Sequence, residues 1–329
     1  METRPSPPEG PGGVAESLAW PGHPAAGWNH RCLVTAEIGN IHDGSLGNCH
    51  ALMDACAGAG VDAVKMQCHV ADAESTPNEK FPVRFAFHPQ DAARTDYWRR
   101  MEFTRRQWVE LADHAIGLGV EFIVSPFSLA GLERIADLCA WIKVASGEAN
   151  HWRLLAEIGQ TGKPVVLSTG MTPERDWVRT EDGRLANLST SSNDIDVAVC
   201  HYLRPKRRED CIVLQCTTAY PTPLKQVGLN KVYEYSRQQN FLGGLSDHSG
   251  LIWPGVAAAV LGAHMIEVHV CWSTKQFGAD ASSSLNINEL RRLVAGVRAV
   301  ESMRRNPVDK TAILETLDDV AVYREGKTR

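Results

Sequence analysis

The chain has 329 residues, room for one large domain with a substantial core. Hydrophobic and charged fractions of 43% and 22% are those of an ordinary soluble globular protein. A formal net charge of −5 gives no basis for nucleic acid or an anionic membrane as partner, although a local basic pocket can still take an anionic substrate.

In chain order, residues 1–28 come first and are rich in Pro and Gly (Pro5, Pro7, Pro8, Gly10, Pro11). Such a segment cannot bury enough apolar surface to offset its ordering entropy, so a mobile tail is predicted. It lacks the apolar centre of a secretory signal, and the longest apolar stretch, Leu251 to Ala263, is broken by Pro254 and too short to span a bilayer. Nine cysteines, odd in number and without a CxxC pair, read as reduced, mostly buried thiols of a cytoplasmic protein.

After the tail, short β-rich apolar runs alternate with helical patterns. Strands are predicted at Leu33–Ile38, Ala63–Gln67, Phe122–Ser125, Ile142–Ser146, Val165–Thr169, Ile212–Thr217, Leu242–Ser246 and Ile266–Val270. Helices are predicted at Leu46–Ala59, Arg105–Leu118, Leu129–Leu138, Trp152–Thr161, Gly255–Leu261 and Asn288–Met303. Near-continuous apolar strands separated by helices indicate a parallel sheet covered on its outer face. Eight such units are the count of a closed α/β barrel, the (β/α)8 TIM barrel; a doubly wound open sheet is the alternative.

Nearly every strand ends in a polar group. In a parallel barrel all strand C-termini open on one face, and that face carries the active site. Lys65 and Lys143 are flanked by apolar strand residues, where a charge is costly unless it meets a carboxylate or a bound anion. With Ser125, Ser146, Ser168 and Ser246 they form a plausible cradle for a phosphate or carboxylate. His248 and His269 end adjacent strands, within reach of one divalent ion that keeps open positions for substrate oxygen. Glu37 and Glu267 are placed to orient a sugar hydroxyl or to help hold the metal or its water. His42, in the loop after the first strand, is less constrained. The stretch from Met171 to Cys211, with Arg204, Lys206, Arg207 and Arg208, reads as a solvated surface loop.

The motifs Ala-Glu-Ile-Gly (36–39) with His42-Asp43-Gly44, Ala-Gly-Val-Asp-Ala-Val-Lys-Met-Gln (59–67), Ser-Pro-Phe (125–127) and Lys-Val-Ala-Ser-Gly-Glu (143–148) follow one another in order. So do Leu-Ser-Thr-Gly-Met (167–171), Gln-Cys-Thr-Thr-Ala-Tyr-Pro (215–221), Gly-Leu-Ser-Asp-His-Ser (244–249) and Glu-Val-His (267–269). Over about residues 31–300 this series resembles the sialic acid synthase (N-acetylneuraminate synthase) family. The resemblance implies a transferase that condenses phosphoenolpyruvate with an N-acylhexosamine-like sugar aldehyde, giving a 2-keto-3-deoxy nonulosonic-type acid and phosphate. It implies that Lys65, Ser125, Lys143, Ser146, Ser168 and Ser246 surround phosphoenolpyruvate. His248 and His269 would bind a divalent metal, Mn2+ first, with Mg2+ or Co2+ in its place, and Glu37, Gln67, Tyr220 and Glu267 would line the sugar site. Glu37, Lys65, Lys143 and Glu267 are the expected catalytic residues.

The chain departs from the family pattern in four places, one of them the stretch from Met171 to Cys211, which is longer than the usual link between strands five and six. Ile41-His42 stands where relatives carry Asn-His, and Gly278-Ala279-Asp280-Ala281 stands where they carry Gly-Pro-Asp-His. Relatives continue into a small antifreeze-like domain that reaches across a dimer. Here the barrel is expected over 29–305, with only an extension at 306–329. A homodimer, or a separate protein supplying that domain, is the corresponding expectation. The other readings are a deoxy-heptulosonate or deoxy-octulosonate type synthase, and a catalytically degenerate barrel acting as a binding or regulatory subunit.

Overall fold

The computed structural model describes residues 30–76, 91, 93–172, 177–179, 185–187, 195, 197–237 and 241–310. The expected tail at 1–28 and residues 311–329 of the expected extension lie outside these. Eight parallel strands form the barrel: β1 (Leu33–Gly39), β2 (Ala63–Cys68), β3 (Glu121–Pro126), β4 (Trp141–Val144), β5 (Val165–Ser168), β6 (Cys211–Cys216), β7 (Leu242–Asp247) and β8 (Met265–Cys271). Each pairs with the next, and β1 pairs with β8 from Leu33↔Met265 to Glu37↔His269. That last ladder closes the sheet and excludes the doubly wound alternative. All eight predicted strands are present. Three predicted strands run past the observed ends: Ser146 starts a short helical turn (Ser146–Glu148) two residues beyond β4, and Thr169 and Thr217 lie just past β5 and β6.

Strand alternation sorts the side chains. Successive residues point to opposite faces, so Ala63, Lys65 and Gln67 of β2 share the barrel interior, as do Met265, Glu267 and His269 of β8. The lower interior is apolar, packed from Ala63, Ile123, Val166, Ile212, Leu214 and Met265. One step up each strand the interior turns charged. The outward residues, such as Val64, Met66, Val124 and Val213, pack against the helices in the main core.

The helices that matter for the site are α1 (Leu46–Gly58), α2 (Ala71–Glu74), α3 (Arg94–Met101), α4 (Arg105–Leu118), α5 (Leu129–Ile135), α6 (Trp152–Thr161), α7 (Leu229–Tyr235), α8 (Trp253–Val260) and α9 (Ile287–Arg305). Local chemistry sets their ends. Ser45 caps α1 by accepting from Asn48 N, Thr104 and Gln107 form a capping box on α4, and Gly119 takes the left-handed conformation that stops it (φ 72°). Helices α2, α3 and α7 are absent from the predicted pattern. The sequence of α3, Arg-Thr-Asp-Tyr-Trp-Arg-Arg-Met, buries only Thr95, Tyr97 and Met101, too few to mark a period.

The expected solvated loop at 171–211 is in part structured. It contains an antiparallel ribbon, 177–179 against 185–187, and a wide helical turn, Val197–Leu203, in which Ala198, Val199 and Leu203 are buried. That turn rests on α6 so closely that a Cβ on Gly159 would lie 2.3 Å from the Tyr202 carbonyl oxygen. Arg204, Lys206 and Arg207 of the basic cluster are exposed, as expected.

Candidate active site

The charged layer at the barrel mouth is one connected group. Lys143 Nζ donates to both Glu267 oxygens, at 2.9 and 3.0 Å. Lys65 Nζ donates to Glu267 Oε1 at 3.1 Å and lies 3.0 Å from Glu37 Oε2. Ser246 Oγ donates to Glu267 Oε1 at 3.2 Å. All four charged residues are at most 4% exposed, so each charge depends on the others for compensation. Burial works against the charge on Glu267, but Lys143 and Lys65 outweigh it and hold the carboxyl well below the usual range. Burial likewise opposes the Lys65 charge, and Glu267 and Glu37 outweigh it and raise the ammonium. For Lys143 burial, with Lys65 alongside, prevails over Glu267 and lowers the ammonium.

Two predicted hydroxyls open into the same layer without a partner: Ser125 Oγ and Ser168 Oγ are buried and make no hydrogen bond. A buried polar group is ordinarily paired, so these two hydroxyls have capacity for a further partner. Ser146 is differently engaged. Its Oγ accepts from Gly170 N at 3.2 Å and donates to Cys216 Sγ at 3.3 Å. A Cβ on Gly170 would lie 2.9 Å from that Oγ, so the glycine permits the approach.

On the other side of the mouth, Gln67 Nε2 donates to Glu37 Oε1 at 2.7 Å, and Asn40 Nδ2 donates to Gln67 Oε1 at 3.1 Å. The ladder between β1 and β2 shifts register between Glu37 and Gly39, and Gly39 turns to φ 53°. A side chain there would point among Asp280 Oδ2, Glu37 Oε1 and His269 Nδ1, each 3.4 Å from its Cβ. The glycine therefore keeps this corner open.

His248 and His269 do come together, with ring centroids 5.2 Å apart. His248 Nδ1 lies 3.1 Å from the Thr217 carbonyl oxygen, which fixes its hydrogen there and leaves Nε2 a lone pair. Burial, then the neighbouring His269, push the His248 pKa to about 3, so the ring is neutral. Tyr220, expected on the sugar side, stacks on this ring (4.2 Å, 21°) with its hydroxyl 3.2 Å from Nε2. His269 Nδ1 is buried without a hydrogen bond; Asp280 Oδ2 is 3.8 Å away. A neutral imidazole whose Nε2 lone pair meets the Tyr220 hydroxyl, beside one with an unpartnered nitrogen, is a donor set that fits a divalent ion once that hydroxyl gives way, the remaining ligands coming from substrate or water. Among the described residues no group of three or more His, Cys, Asp or Glu side chains is arranged to enclose a metal alone.

Several groups at the mouth escaped the sequence reading. Asn40, His69 and Glu74 have no periodic or motif signal of their own, because loops and α2 deliver them, and Asp280 lies in the 278–281 stretch without a role assigned from sequence. Glu148 closes the Lys-Val-Ala-Ser-Gly-Glu motif but has no role from sequence; burial raises its carboxyl, and His151 Nδ1, 3.1 Å away, opposes that. His42 is fully buried rather than loosely held: its Nδ1 accepts from Gly44 N at 3.0 Å.

A closed parallel barrel with paired lysines, paired carboxylates and paired imidazoles at its C-terminal mouth defines a (β/α)8-barrel enzyme of the synthase class. The chain belongs to the NeuB family, whose model matches residues 52–309. It is 30% identical to human N-acetylneuraminate-9-phosphate synthase over 285 residues, 85% of this chain and 73% of that protein. It is 28% identical to the N,N'-diacetyllegionaminic acid synthase of Campylobacter jejuni, over 86% of this chain and 80% of that protein. The solved N-acetylneuraminic acid synthetase of Leptospira borgpetersenii has the same fold, with a TM-score of 0.69 at 22% identity, over 92% of this chain and 94% of that one.

Proposed function

We propose that this protein joins phosphoenolpyruvate to the aldehyde of an N-acylhexosamine-like sugar, releasing phosphate and a 2-keto-3-deoxy nonulosonic-type acid. The observation that carries the reading is the buried layer of two ammonium groups with two unpartnered serine hydroxyls, beside two imidazoles. That layer suits a substrate bearing both phosphate and carboxylate. Lys65, Lys143, Ser125, Ser168 and Ser246 bind it, and Ser146 supports the rim through Gly170. Glu37, Gln67 and Glu267 face the sugar, with Tyr220 at the histidine pair.

C3 of the enol ester attacks the aldehyde carbon, forming the new C–C bond, and the aldehyde oxygen takes up a proton. Water adds at C2, its proton passing to Glu37 or Glu267 as general base. The bond from C2 to the bridging oxygen of the phosphate then breaks, the C2 hydroxyl gives its proton to the departing phosphate and becomes the ketone, and the phosphate leaves on Lys65 and Lys143, whose charge stabilises it. His248 and His269 would hold the divalent ion, Mn2+ or else Mg2+ or Co2+, which when bound supplies Lewis acidity at the aldehyde oxygen. The eight described cysteines other than Cys200 are buried and outside any disulfide, which accords with a cytoplasmic enzyme.

The test is phosphate release from phosphoenolpyruvate with Mn2+ and a panel of N-acylhexosamines, with and without a 6-phosphate. Release that requires one of these sugars, together with a product three carbons longer, supports the reading. Release with no sugar in the panel, or only with aldose phosphates lacking the N-acyl group, refutes it.

A further inference from the structure

One titratable group at the mouth has no part in the condensation. His69 follows β2 and is 1% exposed. Its ring is clamped between Trp98 of α3 (3.9 Å, 18°) and Phe127 after β3 (4.4 Å, 29°). Both ring nitrogens have partners: Nε2 lies 3.2 Å from Gln67 Oε1, and Nδ1 lies 2.7 Å from Glu74 Oε2.

Those partners decide the proton count. Gln67 directs its amide N–H at Glu37, so its carbonyl oxygen faces Asn40 Nδ2 and His69. A carbonyl oxygen only accepts, so Nε2 carries a hydrogen. Glu74 is a carboxylate that also accepts from Val70 N at 2.7 Å, through its other oxygen. An imidazole flanked by two acceptors holds both hydrogens and is an imidazolium. Glu74, with its side chain 7% exposed, is the counter-charge. Among the described residues, His42 in the loop after β1, kept neutral by burial with a pKa of about 3, and Glu148 beyond β4 also feel the field of His69.

From this pair an unbroken series of contacts runs inward: Glu74 to His69, His69 to Gln67, Gln67 to Glu37, Glu37 to Lys65, and Lys65 to Glu267. We infer that the buried His69–Glu74 pair fixes the Gln67 amide, and with it the Glu37 carboxylate, so that His69 is a positioning residue for the sugar half of the site. Its effect on turnover rests on the condensation proposed above; its protonation does not.

Two variants and one spectrum test this. His69→Phe keeps the stack between Trp98 and Phe127 and removes both N–H groups. Glu74→Gln keeps an oxygen for Val70 N and presents an amide N–H to Nδ1, so a neutral ring retains its Nε2 hydrogen on Gln67. In 15N NMR of the whole protein near neutral pH, His69 shows two protonated nitrogens, and in Glu74→Gln only Nε2 stays protonated; a neutral ring in the unaltered protein overturns the pair. In turnover with the best N-acylhexosamine of the panel, His69→Phe raises the acceptor KM by about tenfold and the phosphoenolpyruvate KM by less than about twofold. Glu74→Gln recovers most of that acceptor KM. Equal acceptor KM in His69→Phe and the unaltered protein, or Glu74→Gln as impaired as His69→Phe, overturns the positioning role. If the unaltered protein converts no acceptor, the condensation and the sugar role fail together, and the spectrum still decides the proton.

Discussion

Lys65 and Lys143 were legible as buried cations that need a carboxylate or a bound anion, because a lysine inside an apolar strand has few ways to keep its charge. What their positions could not reveal is that one carboxylate, Glu267, serves both, with Ser246 as a third donor. The proposed phosphoenolpyruvate would therefore compete with Glu267 for the lysines. Lys143→Met leaves Glu267 with Lys65 and Ser246 only. Phosphate release should fall by on the order of a hundredfold or more, since a charge-stabilising donor is lost. A steady-state assay at saturating phosphoenolpyruvate checks this, and near-normal turnover would remove Lys143 from the machinery. A second residue-scale prediction concerns acid. Burial holds the His42 and His264 pKa values near about 3, against an ordinary 6.5. The folded state therefore binds fewer protons than the unfolded chain. This contribution is intact above about pH 6.5 and declines as pH falls toward 3, at up to about 1.4 kcal/mol per pH unit for each histidine. Melting temperature should drop steadily across that window, and His264→Gln should flatten the slope; an unchanged slope would contradict the assignment.

At the scale of elements, strand alternation did most of the positioning. Lys65 shares a face with Ala63, and Glu267 with Met265, so the apolar floor and the charged layer above it follow from sequence once the strands are placed. The run Gly243-Gly244 in β7 has a physical reason that only packing reveals. A Cβ on Gly244 would lie 2.3 Å from the Met265 carbonyl oxygen, and one on Gly243 would lie 2.3 Å from Ser236 N. Gly244→Ala should push β7 from β8, separate His248 from His269, and lower both melting temperature and retained metal after dialysis. Metal retention equal to that of the unaltered protein would show that the spacing tolerates the shift. The cap of α9 is a cleaner element-scale case. Asn286 Oδ1 accepts from Asn288 N and Glu289 N at 3.0 and 3.1 Å, and Glu289 Oε2 accepts from Asn286 N at 2.9 Å. Asn286→Ala should cost about 1 kcal/mol in denaturant unfolding. Helices α2 and α3 stayed hidden because their sequences are polar and short; what holds them is contact with each other and with the mouth, which no local pattern records.

At the scale of the whole molecule, the barrel closes through a polar clamp at the end opposite the site. Asp62 accepts from Val34 N at 2.7 Å and from Arg31 and Arg298, and Glu301 of α9 accepts from Cys32 N and Arg298, each at 2.7 Å. This ties the first strand to the last helix. Arg298→Met should lower stability by roughly 3 kcal/mol, because it strips a cation from two partly buried carboxylates. Turnover by the folded fraction should be unchanged, since the clamp is remote from the mouth; a fall in kcat at constant fold would show that closure strain reaches the site. The sequence by itself determined the barrel, its eight strands, and the two lysines, two glutamates and two histidines at their ends, because alternation and apolar runs are local properties of the chain. Only the tertiary structure decided that Lys65 meets Glu267 across a separation of 202 residues, that Asp280 approaches His269, and that His69 faces both Gln67 and Glu74. Those contacts depend on ladder register and barrel closure, which set distances between strands and loops that no spacing along one chain encodes.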